Sequence, residues 1–391
     1  MSKIDEMIER LCPDGVEYKR IDDVCFLKRG KTITKKSSNL GIIPVVAGGR
    51  EPAYYIDKCN CEGQTITIAG SGAYAGHVLF WNEPIWVGDS FSIKTKSEEF
   101  LVSRYLFFVL KNMQTKIYKL KKGSGIPHVK PSDLAPINIP VPPLEIQEEI
   151  VRVLDSFVEL EAELEAELER RKAQYVYYRD ELFLSKVFST AFLKDLLQDR
   201  GYIRGPFGSA LRKSEMTNEG IPVYEQQHAI YNHRDFRYYI SYEKAKSLSR
   251  FKVKQGDLIV SCSGTVGSIS IISENDKEGI INQALLILRC DSTIITPQFL
   301  KCYLCTTMGR NKLLKQTNKS AQINIAGRDQ IEAISIPVPS LEEQQRIVDI
   351  LDKFDALVND ISQGLPAEIE ARRKQYEYYR DKLLTFKEKV N

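Results

Sequence analysis

Ile139-Pro140-Val141-Pro142-Pro143-Leu144-Glu145-Ile146-Gln147-Glu148-Glu149-Ile150-Val151-Arg152-Val153-Leu154-Asp155-Ser156-Phe157 recurs, with changes, as Ile336-Pro337-Val338-Pro339-Ser340-Leu341-Glu342-Glu343-Gln344-Gln345-Arg346-Ile347-Val348-Asp349-Ile350-Leu351-Asp352-Lys353-Phe354. Each copy runs on to a Tyr-Tyr-Arg-Asp ending, at 177–180 and 378–381. The offset is 197 residues where the stretches open and 201 by Gln174/Gln375 and Leu182/Leu383. A solenoid unit repeats every 20–50 residues or so. A period near 200 therefore means two copies of a whole module, each with its own rod.

The rods carry an apolar seam. Ile150, Val153, Phe157, Leu160 and Leu164 are spaced 3, 4, 3, 4, a coiled-coil rhythm, and the seam continues through Leu168. The second rod repeats the rhythm at Ile347, Ile350, Phe354, Leu357 and Ile361. It then holds one extra four-residue step, and a four-residue insertion keeps the contact face apolar while unwinding the supercoil locally. The first rod contains the tetrads Leu160-Glu-Ala-Glu163 and Leu164-Glu-Ala-Glu167, rich in helix formers. The second has Gly364-Leu365-Pro366 instead, which is expected to kink or break the helix. Ser340-x-x-Glu343 is a capping box that starts it. About 40 helical residues span on the order of 60 Å.

The expected fold class is α+β: two similar mixed α/β modules, 1–140 and 185–337, separated by two long antiparallel coiled-coil helices, 141–184 and 338–391, in a pseudo-twofold arrangement. A pair of core helices inside one globular body, or a coiled coil between two chains, are the competing readings. Within the modules, Ile43-Pro44-Val45 aligns with Ile221-Pro222-Val223, Ser71-Gly72 with Ser263-Gly264, Asp89-Ser90 with Asn282-Gln283, and Tyr105-Leu106 with Phe299-Leu300. The drifting offset reads as loops of different length on one scaffold, where recognition chemistry sits.

Composition narrows the function. The chain has 391 residues, 43% hydrophobic, with net charge +3. That charge is unevenly spread: +5 over 1–140, −7 over 141–184, +7 over 185–337 and −2 over 338–391. Basic modules suit a polyanion and acidic rods avoid one. No apolar run reaches the roughly 20 residues of a membrane helix. Met1 to Arg10 is polar and charged, so the expectation is no secretory leader, no membrane and a cytoplasmic protein. Cys59-x-Cys61 and Cys302-x-x-Cys305 lack the second pair or paired histidines of a zinc site, so no metal is expected. Gly70-Ser-Gly72-Ala-Tyr-Ala-Gly76 lacks the spacing and following helix of a nucleotide loop. No Walker loop, HExxH, Gly-x-Ser-x-Gly or Asn-Pro-Pro-aromatic motif is present, so no catalytic residue and no cofactor are assigned.

Binding groups are plentiful. In module one Arg29, Lys31, Lys35, Lys36 and Arg50 lie in the first third, and Lys121 and Lys122 lead into a glycine turn. In module two Arg204, Arg212, Lys213 and Lys319 offer the same chemistry. Lys and Arg hold phosphates. Base edges need amides, hydroxyls and arginines, for which Ser71, Tyr74 and His128 are candidates in module one. Gln226, Gln227, Ser263 and Thr265, then Asn282, Gln283, Gln322 and Asn324, are those of module two.

The doubled Ile-Pro-Val-Pro-x-Leu-x-x-Gln…Leu-Asp-x-Phe stretch with its Tyr-Tyr-Arg-Asp endings resembles the specificity subunit of type I restriction–modification systems, over essentially the whole chain. The resemblance implies two target recognition domains, each reading half of a split sequence in double-stranded DNA. It implies that the rods dock two methyltransferase (modification) subunits, and that restriction (translocase/endonuclease) subunits join through the complex. Methylation and cleavage would reside in those partners, making this chain a non-catalytic subunit. The Leu-Glu-Ala-Glu tetrads resemble the family's central repeats, whose number is associated with half-site spacing. The alternative is a protein scaffold built on a coiled coil, without DNA contact.

Overall fold

The computed structural model describes residues 3–37, 39–184, 188–316, 323–359 and 364–389. Lys319, Gln322 and Ile361 lie outside these, as does the side chain of Asn324. The chain divides into two compact units, residues 1–165 with 368–391, and residues 166–367.

In the first unit the strands are β1 (Tyr18–Arg20), β2 (Cys25–Arg29), β3 (Ile43–Val46), β4 (Tyr55–Ile56), β5 (Thr65–Ala69), β6 (Val78–Trp81), β7 (Trp86–Val87), β8 (Ser90–Thr95) and β9 (Asn138–Pro140). They form an antiparallel sheet β2-β8-β5-β6, a sheet β4-β3-β7 and a ladder β1-β9. Every residue of β5 is buried, so its threonines need internal partners. Thr67 finds one: Trp81 Nε1 donates to its hydroxyl at 2.8 Å. Ile66, Ile68, Phe91 and Ile93 fill the core with Tyr105, Leu106 and Phe108 of the helix Ser103–Asn112.

The second unit uses the same plan. Its strands are β10 (Thr190–Phe192), β11 (Leu197–Arg204), β12 (Ile221–Tyr224), β13 (Tyr239–Ile240), β14 (Leu258–Ser261), β15 (Ile269–Ile271), β16 (Ile280–Ile281), β17 (Leu285–Cys290), β18 (Leu314–Gln316), β19 (Ile323–Ile325) and β20 (Ser335–Pro337). The sheets are β11-β17-β14-β15 and β13-β12-β16, and β10 pairs with β20. The parallel pair β3·β7 recurs as β12·β16. The second unit has a β18·β19 hairpin; in the first unit isolated bridges link His128 to Lys122 and to Ser71.

Backbone hydrogen bonds correct one of the alignments. Gly70 N donates to the Asp89 carbonyl at 3.2 Å, and Cys262 N to that of Ala284 at 2.8 Å. Asp89 therefore corresponds to Ala284, not Asn282. Gly88 N and Asn282 N both reach the middle strand of the three-stranded sheet, at Val46 O in β3 and Tyr224 O in β12. Gln283 is the residue inserted between, a shift that residue-type matching does not reveal.

The first rod is one continuous helix, Leu144–Leu184. The second is divided into Leu341–Asn359 and Leu365–Leu383. Gly364 sits at φ +81°, where a Cβ would meet the Leu357 carbonyl at 2.7 Å, and Pro366 falls in the first turn of the new helix, where its missing N–H costs nothing.

Each unit pairs the opening of one rod with the close of the other. In the first unit Phe157 meets Tyr376 and Tyr379, and Arg373 bridges Glu161 and Glu165. Higher numbers on one helix face lower numbers on the other, so they run antiparallel. In the second unit Tyr178 meets Phe354, and Leu182 and Phe183 join Ile347 and Leu351 in the core. Of the seam residues, Ile150 and Ile347 are fully buried. Phe157, Leu160, Leu164, Leu168 and Phe354 are half-buried. Leu357 is 40% exposed, close to the end of its helix.

A buried glutamine fastens each rod to its module. Gln147 Oε1 accepts from Val102 N at 2.9 Å, and its Nε2 donates to Phe100 O and Pro142 O at 2.9 and 2.8 Å. Gln344 Oε1 accepts from Thr296 N at 2.8 Å, and its Nε2 donates to Ile294 O and Pro339 O at 2.9 and 3.0 Å. The shared partner also equates Val102 with Thr296, which supports the Tyr105/Phe299 pairing.

Candidate nucleic-acid interface

The first strand of each four-stranded sheet ends on an arginine followed by glycine, Arg29-Gly30 and Arg204-Gly205. Gly30 N donates to Ser90 O at 2.9 Å and Gly205 N to Leu285 O at 3.0 Å. A Cβ at Gly30 would run into the carbonyls of Val87 and Gly88, and at Gly205 into that of Asn282. Close backbone approach thus demands glycine and places the arginine equivalently in both units.

In the first unit Arg29 borders a groove of about 580 Å³, lined also by Ser71, Asp89, Ile126, His128 and Lys130. The groove wall is a short hairpin. Lys122 and His128 exchange backbone bonds at 3.0 and 2.8 Å, Gly72 N donates to Pro127 O at 3.0 Å, and Val129 N to Gly70 O at 3.1 Å. These bonds pin the turn 123–127 against the end of β5. The Ser71 hydroxyl donates to Asp89 Oδ2.

The structure therefore brings Arg29, Ser71 and His128 together. The other module-one candidates lie nearby or elsewhere. Lys122 is ion-paired with Asp133 at 2.6 Å, a hydrogen bond that holds the Asp133 carboxyl below its ordinary range. Lys121 Nζ donates to Ala73 O at 3.1 Å, and Arg50 lies 4.7 Å from the centre of the Tyr74 ring. Lys35 stands 5.6 Å from the Tyr54 ring centre, while Lys31 and Lys36 are exposed. His77, 3.0 Å from the Tyr118 hydroxyl, is driven down to about 4 by burial and by the charges of Lys111 and Arg50. It is neutral at physiological pH.

In the second unit Arg204 is half-buried, 5.7 Å from the Phe207 ring centre. Its Nη1 is buried without a hydrogen-bond partner, and burial pulls its pKa below the ordinary arginine value. Ser263 and Thr265 are exposed on the turn after β14, where a Cβ on Gly264 would lie 3.9 Å from the Gln226 side chain. Gln227 Nε2 donates to Glu225 at 3.3 Å. Asn282 Oδ1 accepts from Ala284 N at 2.9 Å, and Gln283 is exposed. Arg212 and Lys213 are exposed at a separate 3₁₀ turn.

Sequence reasoning passed over Asp89, because a carboxylate is not sought in a basic module. It also passed over Gln147 and Gln344 as residues with a task, although their repetition was visible.

Other chemistries find no support among the described residues. No group of three or more His, Cys, Asp or Glu is placed to hold a metal, and no helix is long and apolar enough to cross a membrane. Burial pushes the Cys302 thiol up to about 12 and raises that of Cys305, the opposite of a reactive thiolate.

Comparison with known proteins agrees with the doubled plan. The family model for the type I restriction modification DNA specificity domain matches twice, at residues 13–170 and 205–371. A putative type I restriction enzyme specificity subunit of Haemophilus influenzae is 29% identical, over 95% of this chain and 96% of that one. The EcoR124I/EcoR124II specificity subunit of Escherichia coli is 34% identical over 62% of this chain and 60% of its own. Among solved structures, a chain of a type I R-M system superposes with a TM-score of 0.65 at 18% identity, covering 95% of this chain and 97% of that one. The type I restriction-modification S subunit of M. genitalium gives 0.56 at 18% identity, covering 95% and 96%. The chain belongs to the type I restriction–modification DNA specificity family.

Proposed function

We propose that this chain chooses the DNA site for a type I restriction–modification complex, as its non-catalytic specificity subunit. Residues 1–140 and 185–337 act as two target recognition domains, each reading one half of a bipartite sequence in double-stranded DNA. The helical stretches 141–184 and 338–391 hold two modification subunits, and the restriction subunits join through that complex in the cytoplasm. The modules differ in their loops, so the two half-sites differ and the target is asymmetric.

The observation that carries this reading is the same sheet plan built twice, with Arg29 and Arg204 at equivalent strand ends. Arginine at a fixed place on a basic surface grips phosphate and sets register, while neighbouring hydroxyl, imidazole and amide groups reach base edges. Ser71 and His128, which line the groove with Arg29, are such groups in one module, and Ser263, Gln226 and Gln283 are the candidates in the other. The tetrad stretch of the first rod joins the two units, so its length sets the interval between half-sites.

Salt separates this reading from a protein scaffold. Affinity of the complex with its modification subunits for duplex DNA is expected to fall by roughly 10³ between about 50 and 200 mM salt, as for about six phosphate contacts. An affinity for duplex that is absent, or flat with salt, would favour the scaffold.

A further inference from the structure

We propose that Asp89 is a base-reading residue of the first module: its carboxylate, held by Ser71, accepts a hydrogen bond from the exocyclic amino group of a cytosine in the first half-site. The inference rests on the DNA-reading function proposed above and names one of its contacts.

Three observations converge on it. Asp89 is the one acidic residue among those lining the groove that Arg29 and His128 share. It is exposed, and among the described residues no lysine or arginine comes within 4.0 Å of it. Asp133, next to the groove-lining Ser132, is by contrast ion-paired with Lys122 at 2.6 Å. An unpaired carboxylate on a phosphate-binding face repels the backbone. It is tolerable where it meets a donor on a base edge instead.

The group is also held in advance. Ser71 Oγ donates to Oδ2, and no described residue donates to Oδ1. The loop that carries it is tied on three sides: Gly88 N to Val46 O at 2.8 Å, Gly70 N to Asp89 O at 3.2 Å, and Ser90 Oγ to Ala47 O at 2.6 Å. A carboxylate that only accepts, fixed at a groove, selects the N4 amino group of cytosine.

The second module supplies the contrast. Ala284 stands in the place of Asp89, and the inserted Gln283 is exposed beside it. Ser263, the counterpart of Ser71, has no carboxylate to hold there. An amide both donates and accepts, which suits adenine better than cytosine. The two modules therefore present different reading chemistry at one loop.

The test has two arms. Asp89→Asn and Asp89→Ala chains are co-expressed with the modification subunits, and methylated adenines are mapped genome-wide. One cytosine position of the first half-site is expected to relax by about tenfold, with the second half-site and the spacer unchanged. Unaltered letters, or uniform weakening at all positions, would overturn the proposal. In the second arm the wild-type complex binds duplexes in which each first-half cytosine is replaced by an analogue lacking the N4 amino group. One replacement is expected to cost about tenfold, and to cost the Asp89→Ala complex no more than a control position. Indifference of the wild type at every cytosine sinks the assignment while the bipartite reading stands. A wild type that yields no bipartite motif at all removes the reading itself.

Discussion

The Phe157 ring stacks on that of Tyr379, with centroids 5.5 Å apart and planes at 23°. Phe354 meets Tyr178 at 6.1 Å and 31°. The first pair belongs to one unit and the second to the other. Each takes its phenylalanine from the opening of one rod and its tyrosine from the close of the other, so the duplication seen in the sequence is repeated contact by contact.

Phe157→Ala is expected to lower unfolding stability by about 3 kcal/mol, because the ring is half-buried between two tyrosines. Its coupling to Tyr379→Ala, read from a double-mutant cycle in urea, is expected near 1 kcal/mol. Strict additivity of the two changes would contradict the stacking.

Gln147→Leu removes the side-chain partner of Val102 N and of the Phe100 and Pro142 carbonyls while keeping most of the side chain's volume. Three buried backbone groups lose their bonds, and a loss of about 3 kcal/mol or more follows. Gln344→Leu is expected to act alike, because its three bonds are the same. A melting curve unchanged by either substitution would show that these bonds add nothing.

Arg29→Ala and Arg204→Ala are each expected to weaken duplex binding by about tenfold and to reduce the salt slope by about 1, without altering the half-site letters. A change in sequence preference would move these residues from gripping phosphate to reading bases.

Acid should loosen the first unit through Glu149. Its side chain is 9% exposed and lies between Arg152 at 2.6 Å and Lys3 at 3.2 Å, and the Arg152 bond leads in lowering its pKa from 4.5 to about 2. A depressed carboxyl pKa stabilises the fold above the unfolded value, and that contribution fades as pH falls from about 4.5 toward 2. Glu149→Gln is expected to flatten the stability profile in that window. An unchanged acid limb would contradict this.

Much of the architecture was legible because the repeat wrote it twice. The 3-4-3-4 seam announced Leu144–Leu184 as a helix, and Gly364-Leu365-Pro366 announced the point at which the second rod divides. The strand Thr65–Ala69 is a run of β-branched residues up to Ile68, a pattern that favours an extended chain. Less was legible about the groove. A seam shows that a helix has a partner, not which stretch of the other rod supplies it. The Asp89/Ala284 correspondence depends on a one-residue insertion that only backbone hydrogen bonds expose. The orphaned Nη1 of Arg204 is a matter of burial, and Arg204 in sequence looks like any other surface arginine.

The most direct measurement is methylome sequencing of a chain lacking Leu164 to Glu167, one tetrad of the first rod, beside the unaltered chain, each with its partner subunits. One tetrad is about 6 Å of helix against about 3.4 Å per base-pair step. The expected result is a bipartite asymmetric motif for the unaltered chain, and the same two half-sites separated by about two fewer base pairs for the shortened one. New half-site letters at an unchanged spacing would contradict the account.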